Sequence, residues 1–313
     1  MRIILAPMEG LMDYYLRTVI KHFGGCDLII SEFVRVVDAL LPESVFLKTV
    51  PELTTTSSLP ASPPVRVQLL GSDPNALADN ALRALSLGSS GIDLNFGCPS
   101  KTVNNHNGGA VLLKEPEKIY RIINTVKTAL PQGICLSAKM RLGYDDTSQA
   151  IENALAMEAG GAEEITVHAR TKVEGYQPPA HWDWIARINE ATQVNIIANG
   201  DIFSVSDYDE CIQISGCQDI MIGRGLVYQP DLAMLIKDRS KPHLEWQQLA
   251  NQIHTFFSSM QGNVPDRYIC GRLKQWLKFL ATRHEQANKL FETLRPVNDV
   301  SQVRKILQEN LVN

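Results

Sequence analysis

The sequence predicts an α/β protein, a (β/α)8 TIM barrel followed by a small, all-helical C-terminal domain. Eight short apolar segments recur along the first 222 residues, and segments of helix length separate several of them. Beyond Pro242 only helical periodicity remains. We therefore predict a barrel domain over residues 1–242 and a helical domain over residues 243–313.

Each predicted strand is a short apolar run, and the number of runs equals the eight strands of a TIM barrel. The runs are Ile3–Ala6, Leu28–Ile30, Val65–Leu69, Ile92–Asn95, Leu136–Met140, Ile165–His168, Asn195–Asn199 and Asp219–Ile222. Polar or special residues end every run. A barrel gathers these strand ends on one face, where TIM-barrel enzymes place their active sites.

Helices are predicted between several strands and beyond the barrel. The helical segments are Asn75–Leu87, Pro116–Leu130, Thr147–Ala159, Leu244–Met260 and Asp266–Arg283, with a shorter one after Ser301. A doubly wound parallel sheet is the alternative fold. Its first strand is usually followed by a G-x-G-x-x-G turn, whereas Pro7-Met8-Glu9-Gly10 stands there in this chain, which favours the barrel.

The composition is typical of a soluble globular protein with a large core. Hydrophobic residues make up 44% of the chain and charged residues 20%, and no window approaches the 18 or so unbroken apolar residues of a membrane span. The chain starts with a strand-like segment, and its six cysteines form no C-x-x-C pair. We expect a cytoplasmic monomer with no signal peptide, no membrane association and no metal site.

The charge is distributed unevenly along the chain. The net charge is −4, yet the residues from Lys241 onward hold ten basic and six acidic side chains, a net charge of +4. The first 240 residues therefore carry −8. This asymmetry indicates that the last quarter of the chain binds a polyanion.

The segment around Cys98 is the most informative strand end. It follows the apolar run that ends at Asn95, with Gly97 permitting a tight turn and Pro99 preventing the strand from continuing. A thiol held at the rim of a barrel is available for chemistry. The alternative interpretation is a buried cysteine that only packs.

The ends of the last two predicted strands are typical of a phosphate site. Asn199-Gly200-Asp201 and Gly223-Arg224-Gly225 supply glycines that let backbone N–H groups approach an anion, together with a cation. Lys139 could stabilise negative charge on a reduced flavin, and Gln68 could hydrogen-bond the ring edge. The alternatives are turn glycines beside a surface Arg224, and for Lys139 and His168 an ion-pair partner and a hydrogen-bonded core histidine.

Seven motifs together resemble the tRNA-dihydrouridine synthases, and the resemblance covers essentially the whole chain. They are Ala6-Pro7-Met8-Glu9-Gly10, Asn95-Phe96-Gly97-Cys98-Pro99-Ser100-Lys101, Gly108-Gly109-Ala110, Lys139-Met140-Arg141-Leu142-Gly143, Val167-His168-Ala169-Arg170-Thr171, Ile197-Ala198-Asn199-Gly200-Asp201-Ile202 and Met221-Ile222-Gly223-Arg224-Gly225. The start of the chain, Ser31–Val36 and Arg272–Leu277 with Arg295 resemble the bacterial C subfamily, which reduces the uridine at tRNA position 16.

This resemblance implies FMN on the barrel mouth, reduced by NADPH, and a flipped-out uridine above it that receives hydride at C6. Cys98 resembles the family's general acid, which protonates C5, and an ordinary thiol pKa of about 8.5 keeps such a group protonated near pH 7. Asn95 would hydrogen-bond the uracil. The positions that match the family's flavin-binding residues are Pro7, Met8, Glu9, Gln68, Lys139, His168, Asn199, Gly200, Asp201, Gly223 and Arg224.

A uridine inside folded tRNA must leave its stack to reach a barrel mouth, so the enzyme needs a second grip on the RNA. The predicted helix after Asp266 places basic residues on one face and Ile269, Leu273, Trp276, Leu277 and Leu280 on the opposite, core-facing one. By resemblance, the tRNA contacts are Arg35, Tyr176, Arg272, Lys274 and Arg295. The segment Lys101–Gly109 is expected to be a flexible loop that closes over the substrate.

Two other functions fit parts of the sequence. A flavin barrel that reduces a free pyrimidine, like a dihydroorotate or dihydropyrimidine dehydrogenase, would not need the basic helical tail. An RNA-binding factor on a barrel without chemistry would not need Cys98, Lys139 and the phosphate-site residues together. The synthase accounts for both sets of features.

Overall fold

The computed structural model describes residues 1–55 and 62–311, and within it eight parallel strands close into a barrel. Each strand pairs with the next, and β1 also pairs with β8, so the predicted TIM barrel is confirmed. The strands are β1 (Ile3–Leu5), β2 (Leu28–Arg35), β3 (Val65–Leu70), β4 (Ile92–Phe96), β5 (Leu136–Arg141), β6 (Glu164–His168), β7 (Asn195–Asn199) and β8 (Asp219–Ile222).

Helices alternate with the strands and then continue alone. They are α1 (Tyr14–Phe23), α2 (Glu43–Thr49), α3 (Glu52–Thr55), α4 (Pro74–Ser86), α5 (Lys101–Asn105), α6 (Pro116–Ala129), α7 (Ala150–Ala159), α8 (Trp182–Ala191), α9 (Val205–Ser215), α10 (Arg224–Tyr228), α11 (Leu232–Lys237), α12 (Trp246–Met260), α13 (Asp266–Leu280), α14 (Glu285–Leu294) and α15 (Val300–Leu311), with a short 3-10 helix at Gly109–Lys114. Within residues 1–55 and 62–311, no helix combines the length and apolar character needed to span a bilayer.

Several element boundaries differ from the sequence prediction by a few residues, and two of the differences have clear local reasons. The strand β2 extends to Arg35, because a register shift between Ile30 and Phe33 lets it continue along β3. The helix α12 starts at Trp246, because Glu245 and Gln248 form a reciprocal capping box ahead of it. A helix absent from the prediction, α14, follows α13.

The inner face of the barrel, formed by alternate residues of each strand, has an apolar half and a polar half. On β1, β2, β7 and β8 it is apolar, with a buried cluster of Ile4, Ala6, Leu28, Ile30, Ile197 and Met221. On β3 to β6 the residues in register are polar, including Gln68 beside Asp93, Asp93 beside Ser137, and Asn95 beside Lys139. This polar half lies directly below the strand ends that carry Cys98.

Charged side chains join the starts of four strands at the opposite end of the barrel. Arg2 binds Glu164 at 2.6 Å and Asp219 at 2.7 Å, and Arg66 binds the other oxygen of Glu164 at 2.8 Å. These pairs are mostly buried and connect β1, β3, β6 and β8. The network therefore links four strands at the end of the barrel away from the site, where removal of one partner would leave a buried charge unpaired.

The chain divides into two compact units. The first contains Met1–Gly10 and Cys26–Gly223, and the second contains Leu11–Gly25 and the residues from Arg224 onward. The second unit thus includes α1, which packs against α12, as well as α10 to α15. Its bounds differ from the sequence-based division at residue 242, which rests on where the barrel pattern ends and only helical periodicity remains.

The core of the second unit forms as the sequence predicts. All five residues of the predicted apolar stripe on α13 are fully buried: Ile269, Leu273, Trp276, Leu277 and Leu280. The rings of Trp276 and Phe256 of α12 meet edge to face at 5.1 Å, and the Trp276 indole N–H donates to the Val227 carbonyl at 3.3 Å. The basic residues Arg267 and Lys278 are exposed on the other side of α13.

Candidate active site

The turn that carries Cys98 is fixed by a side chain at the end of β4. The Asn95 side-chain oxygen accepts hydrogen bonds from the backbone amides of Gly97 and Cys98, each at 2.9 Å. Such an Asx-type contact replaces the strand pairing that ends at Phe96. Cys98 is thereby held at the strand end, as the sequence predicts.

The carbonyl side of this turn is held by Arg141, the last residue of β5. Its guanidinium donates to the carbonyl of Gly97 at 2.9 Å, to that of Thr171 at 3.0 Å and to that of Gly175 at 2.9 Å. Arg141 therefore ties the loops after β4 and β6 to its own strand. The planar guanidinium presents its donors in a fixed fork, which suits carbonyls that lie in different directions.

The segment after Cys98 differs from the predicted flexible loop. Lys101–Asn105 is helical, and the Asn104 side chain donates to the carbonyl of Cys98 at 2.9 Å and to that of Ser100 at 2.7 Å. The Asn104 side-chain oxygen accepts from the Val111 amide at 2.7 Å. Residues Lys101–Asn105 therefore form a helix where the sequence suggested a loop, and one buried amide anchors both ends of the segment. Closure of this segment over the substrate stays a prediction.

Gly109 completes this close packing. Its φ is +67°, and a Cβ placed there would lie 2.9 Å from the Cys98 carbonyl oxygen and 3.0 Å from the Cys98 Cβ. Any larger residue would have to displace the cysteine. The Gly108-Gly109 pair of the sequence motif thus has a direct steric reason.

The Cys98 thiol lies in a mostly apolar pocket with 8% of the residue exposed, beside Leu70, Val103 and Phe33. Burial raises the pKa of the thiol above its ordinary value. Glu9 adds to the rise, whereas Arg141 opposes it. The thiol is therefore protonated at neutral pH, as a proton donor must be, and it also packs, as the alternative interpretation held.

Lys139 supplies a positive charge inside the barrel mouth. Burial, assisted by the neighbouring charge of Arg141, lowers the pKa of Lys139 to about 8, although Asp93 opposes the shift. Its ammonium has no hydrogen-bond partner among the residues that the structure describes. An unpaired, partly buried cation at this depth is suited to an anionic ligand, so the alternative of a satisfied ion-pair partner does not apply.

The remaining polar residues of this half are already engaged within the protein. Gln68 is fully buried, and its amide bonds to Asp93 at 2.6 Å and to Asn95 at 2.7 Å. His168 is 7% exposed, with its ring centroid 6.0 Å from that of Tyr176. Tyr176 is 56% exposed, and the Arg141 guanidinium lies 5.3 Å from its ring centroid.

The residues of the predicted phosphate site, at the ends of β7 and β8, are held in defined local geometries. Gly200 has a φ of +129°, which excludes side chains, and the Asn199 amide is fixed by a 2.8 Å bond to the Met221 carbonyl. Asp201 has a φ of 51° and pairs with the fully buried Arg170. At Gly223 a Cβ would lie 3.2 Å from the Met8 sulfur.

Four more predicted flavin residues lie directly after β1 and β8. Pro7 and Met8 are half-buried and Glu9 is exposed, directly after β1. Arg224 follows Gly223 as the first residue of α10 and belongs to the second unit.

These residues fit a flavin mononucleotide. The unpaired ammonium of Lys139 suits the electron-rich part of a flavin ring, and the glycine-lined ends of β7 and β8 suit a phosphate. A second donor is also unsatisfied, since the Arg170 Nη1 is buried without a partner in the described part of the chain. The first unit therefore offers cationic groups and close backbone approach to such a group.

The cations predicted to contact tRNA have different surroundings. Arg35, at the end of β2, is exposed. In the second unit, Lys274 donates to the Arg295 carbonyl at 3.1 Å, so these two residues lie together, and the Arg295 side chain is 69% exposed. Arg272 instead binds Asp13 at 2.8 Å and the Leu11 carbonyl at 2.9 Å, and its side chain is only 15% exposed.

Sequence reasoning missed Asp93 and Asn104, both of which lie near the Cys98 turn. It also missed the three carbonyl contacts of Arg141, a residue that it named only as part of a motif. Asp93 carried a usable signal, because a carboxylate inside an apolar strand run must find a buried partner. Asn104 carried none, since it stands among several asparagines in a stretch that reads as a loop.

Comparison with known proteins gives the same answer as the site. A family model described as "Dihydrouridine synthase (Dus)" matches residues 4–312. A protein of Pseudomonas putida named tRNA-dihydrouridine(16) synthase is 48% identical over 311 residues, which cover 98% of this chain and 96% of that protein. Proteins with the same name from Shewanella oneidensis and Neisseria meningitidis serogroup B are 45% and 46% identical, covering 99% and 98% of this chain and 98% and 94% of their own.

The family match and the whole-length similarity agree. The chain belongs to the dihydrouridine synthase family of flavin-dependent oxidoreductases.

Proposed function

We propose that this protein uses FMN and NADPH to reduce uridine 16 in the D-loop of tRNA to 5,6-dihydrouridine. The observation that carries the proposal is the place of Cys98 at the end of β4, where Asn95 holds its backbone amide, in the same unit as the unpaired Lys139. Burial raises the pKa of the Cys98 thiol, which suits a proton donor. The choice of position 16 is supported by the printed names of the relatives in three bacteria.

The protein would divide the reaction between cofactor and side chains. FMN reduced by NADPH supplies, when bound, the hydride for C6 of the uracil ring. The Cys98 thiol then donates its proton to C5, and the thiolate takes up a proton from water to complete the cycle. Lys139 would hold the anionic part of the flavin, the ends of β7 and β8 its phosphate, and Asn95 the uracil edge.

Recognition of the RNA would fall largely to the residues from 243 onward. This part of the chain carries the positive charge, and Lys274 and Arg295 present it together at the C-terminal end of α14. Phosphate contacts of this kind orient an RNA without reading its bases. They would determine which uridine of the tRNA can flip into the barrel mouth.

The test incubates the purified protein and NADPH with tRNA that lacks dihydrouridine and maps the product by reverse-transcription arrest. A new arrest at position 16 is the expected result, and Cys98→Ala protein is the matched control that should give none. Arrest elsewhere in the D-loop would support the reduction of tRNA uridine but overturn the choice of position 16. A bound flavin that NADPH bleaches, with no product in tRNA, would instead indicate a reductase of free pyrimidines.

A further inference from the structure

A chain of buried side chains runs from the interior of the barrel to the Cys98 turn. Its first member is Asp93, which is 1% exposed and lies on β4 two residues before Asn95. One Asp93 oxygen accepts from the Gln68 amide nitrogen at 2.6 Å. The Gln68 oxygen accepts from the Asn95 amide nitrogen at 2.7 Å, and the Asn95 oxygen accepts from the amides of Gly97 and Cys98.

Hydrogen-bond chemistry gives this chain a single direction. The two backbone amides at its upper end can only donate, so Asn95 must turn its oxygen toward them and its nitrogen toward Gln68. Gln68 must then turn its oxygen up and its nitrogen down, where it needs an acceptor. Burial raises the pKa of the Asp93 carboxyl, while its hydrogen bonds with Gln68 and Ser137 oppose that rise. The Asp93 oxygen below Gln68 accepts from the Gln68 amide nitrogen, and an acceptor at this place fixes the orientation of both amides above it.

We propose that Asp93 is a positioning residue, whose carboxylate orients Gln68 and Asn95 and so fixes the backbone amide of Cys98. Asp93 touches neither Cys98 nor the barrel mouth. Without a defined acceptor at its lower end, the chain could reverse, and Asn95 would then present N–H donors to N–H donors. The Cys98 turn would lose both of its bonds to Asn95.

The second oxygen of Asp93 supplies a control for this inference. It accepts from the Ser137 hydroxyl at 2.5 Å, and Ser137 lies beside Asp93 on β5. That bond holds Asp93 but is not part of the path to Cys98. Removing the Ser137 hydroxyl should therefore leave the orientation of the amides unchanged.

The decisive experiment reverses the direction of the chain. In Asn95→Asp, carboxylates flank Gln68 on both sides, and its amide oxygen must face one of them. Adding Asp93→Asn supplies an N–H donor below Gln68, so that Gln68 can turn over and donate upward to the new carboxylate. That carboxylate still accepts from Gly97 and Cys98, and the new amide oxygen at position 93 still accepts from Ser137.

Two properties are measured for each variant, the NMR signal of the Cys98 backbone amide and the melting temperature, and neither measurement needs RNA. Protein labelled with 15N only in cysteine gives six backbone amide signals, and the one that disappears in Cys98→Ser belongs to Cys98. The melting temperature is measured on the same samples. We expect Asn95→Asp to shift the Cys98 signal and to lower the melting temperature by about 3–8 °C.

The double variant should recover the Cys98 signal and most of the lost melting temperature. Asp93→Asn alone leaves Gln68 without a defined acceptor and should also move the Cys98 signal, whereas Ser137→Ala should change either measurement little. An Asn95→Asp protein that does not fold, beside a double variant that does, would give the same support. An unmoved Cys98 signal in Asn95→Asp, or a double variant no better than Asn95→Asp, would overturn the inference.

The catalytic meaning of this role rests on the proposed function of Cys98. The two failures are distinguishable, because the amide signal and the melting temperature report the chain of hydrogen bonds, whereas product mapping in tRNA reports the reaction. A rescued signal in a protein that makes no dihydrouridine would overturn the proposed function alone.

Discussion

The side chain of Asn104 donates a 2.9 Å hydrogen bond to the backbone carbonyl of Cys98, six residues before it. The same carbonyl accepts from the Ala110 amide at 3.1 Å. Both contacts lie on the side of Cys98 away from Asn95. The cysteine is therefore held through its own amide and its own carbonyl, which leaves the thiol as the group free to act.

Replacement of Asn104 should loosen this arrangement. Asn104→Ala removes two donors and one acceptor from buried carbonyl and amide partners, at a cost of about 1–3 kcal/mol in the free energy of unfolding. We expect a lower melting temperature and a slower oxidation of reduced flavin by tRNA. Asn105→Ala, at an exposed position of the same helix, is the control, and equal effects of both variants would contradict the assignment.

The pH dependence of the tRNA step should report the Cys98 thiol. Because burial raises its pKa, the proton-donating form persists above the ordinary thiol range, and the rate should stay constant through about pH 8.5 and fall only at higher pH. In Cys98→Ala the step should slow by about 10²- to 10⁴-fold, with NADPH reduction of the flavin unchanged.

Single-turnover oxidation of the reduced protein by tRNA measures this dependence. Cys135→Ala, which removes another partly buried thiol, should retain the wild-type rate. A Cys98→Ala protein with near-normal dihydrouridine formation would remove Cys98 as the acid.

Binding of FMN to the cofactor-free protein should weaken as the pH rises through 8. The pKa of Lys139 is lowered to about 8, so the ammonium is present below that pH and is lost above it. Because the anion favours the charged form, each FMN bound above pH 8 should take up a proton, and log Kd should rise by up to about one unit per pH unit.

Fluorescence titration between about pH 7 and pH 9 tests this expectation, since the FMN phosphate keeps its charge there. Lys139→Gln should bind FMN more weakly and without the pH dependence. Lys118→Gln, a charge change on α6, should leave the profile unchanged. If the Kd of the wild type for FMN did not change with pH, Lys139 would not contact the anionic part of FMN.

The adjacent cations Lys274 and Arg295 should contribute to tRNA affinity through phosphate contacts. The double variant Lys274→Ala with Arg295→Ala should weaken binding and reduce the slope of log Kd against log salt by about one to two. The flavin spectrum should stay unchanged. The matched control is Lys289→Ala with Lys305→Ala, which removes two other exposed lysines of the same unit. An equal effect of both double variants would indicate that tRNA affinity depends on net charge and not on the positions of Lys274 and Arg295.

Arg272 is a poorer choice for that test than the sequence suggests. Its guanidinium binds Asp13, and Asp13 also caps α1 by accepting from the Leu16 amide at 3.0 Å. Arg272→Ala should therefore lower the melting temperature, and a loss of tRNA binding in that variant would mix two causes. Its contact with tRNA stays a prediction.

Much of the barrel could be predicted because its signals are local. Apolar runs such as Leu136–Met140 identify strands wherever they lie, and the sequence alone placed all eight of them. The turn at Cys98 was likewise readable, because Gly97 and Pro99 restrict the backbone at their own positions. The apolar stripe of α13 followed from helical spacing.

The contacts that hold the site together could not be read in this way. Arg141 meets carbonyls 30 and 34 residues ahead and one 44 residues behind, and Gln68 meets Asp93 across two strands. Such pairs depend on strand register and on which side chains share a face, and no local pattern encodes them. The anchoring of the segment after Cys98 by Asn104 was missed for the same reason.

The second unit contains a segment, Leu11–Gly25, that is encoded between the first two strands of the barrel. A gene cut at codon 242 would therefore divide it, leaving α1 on one piece and its neighbour α12 on the other. In a chimaera of two related synthases joined there, Asp13 would come from one parent and Arg272 from the other. Recombination can exchange the C-terminal helices of such enzymes only when both parents keep that ion pair compatible.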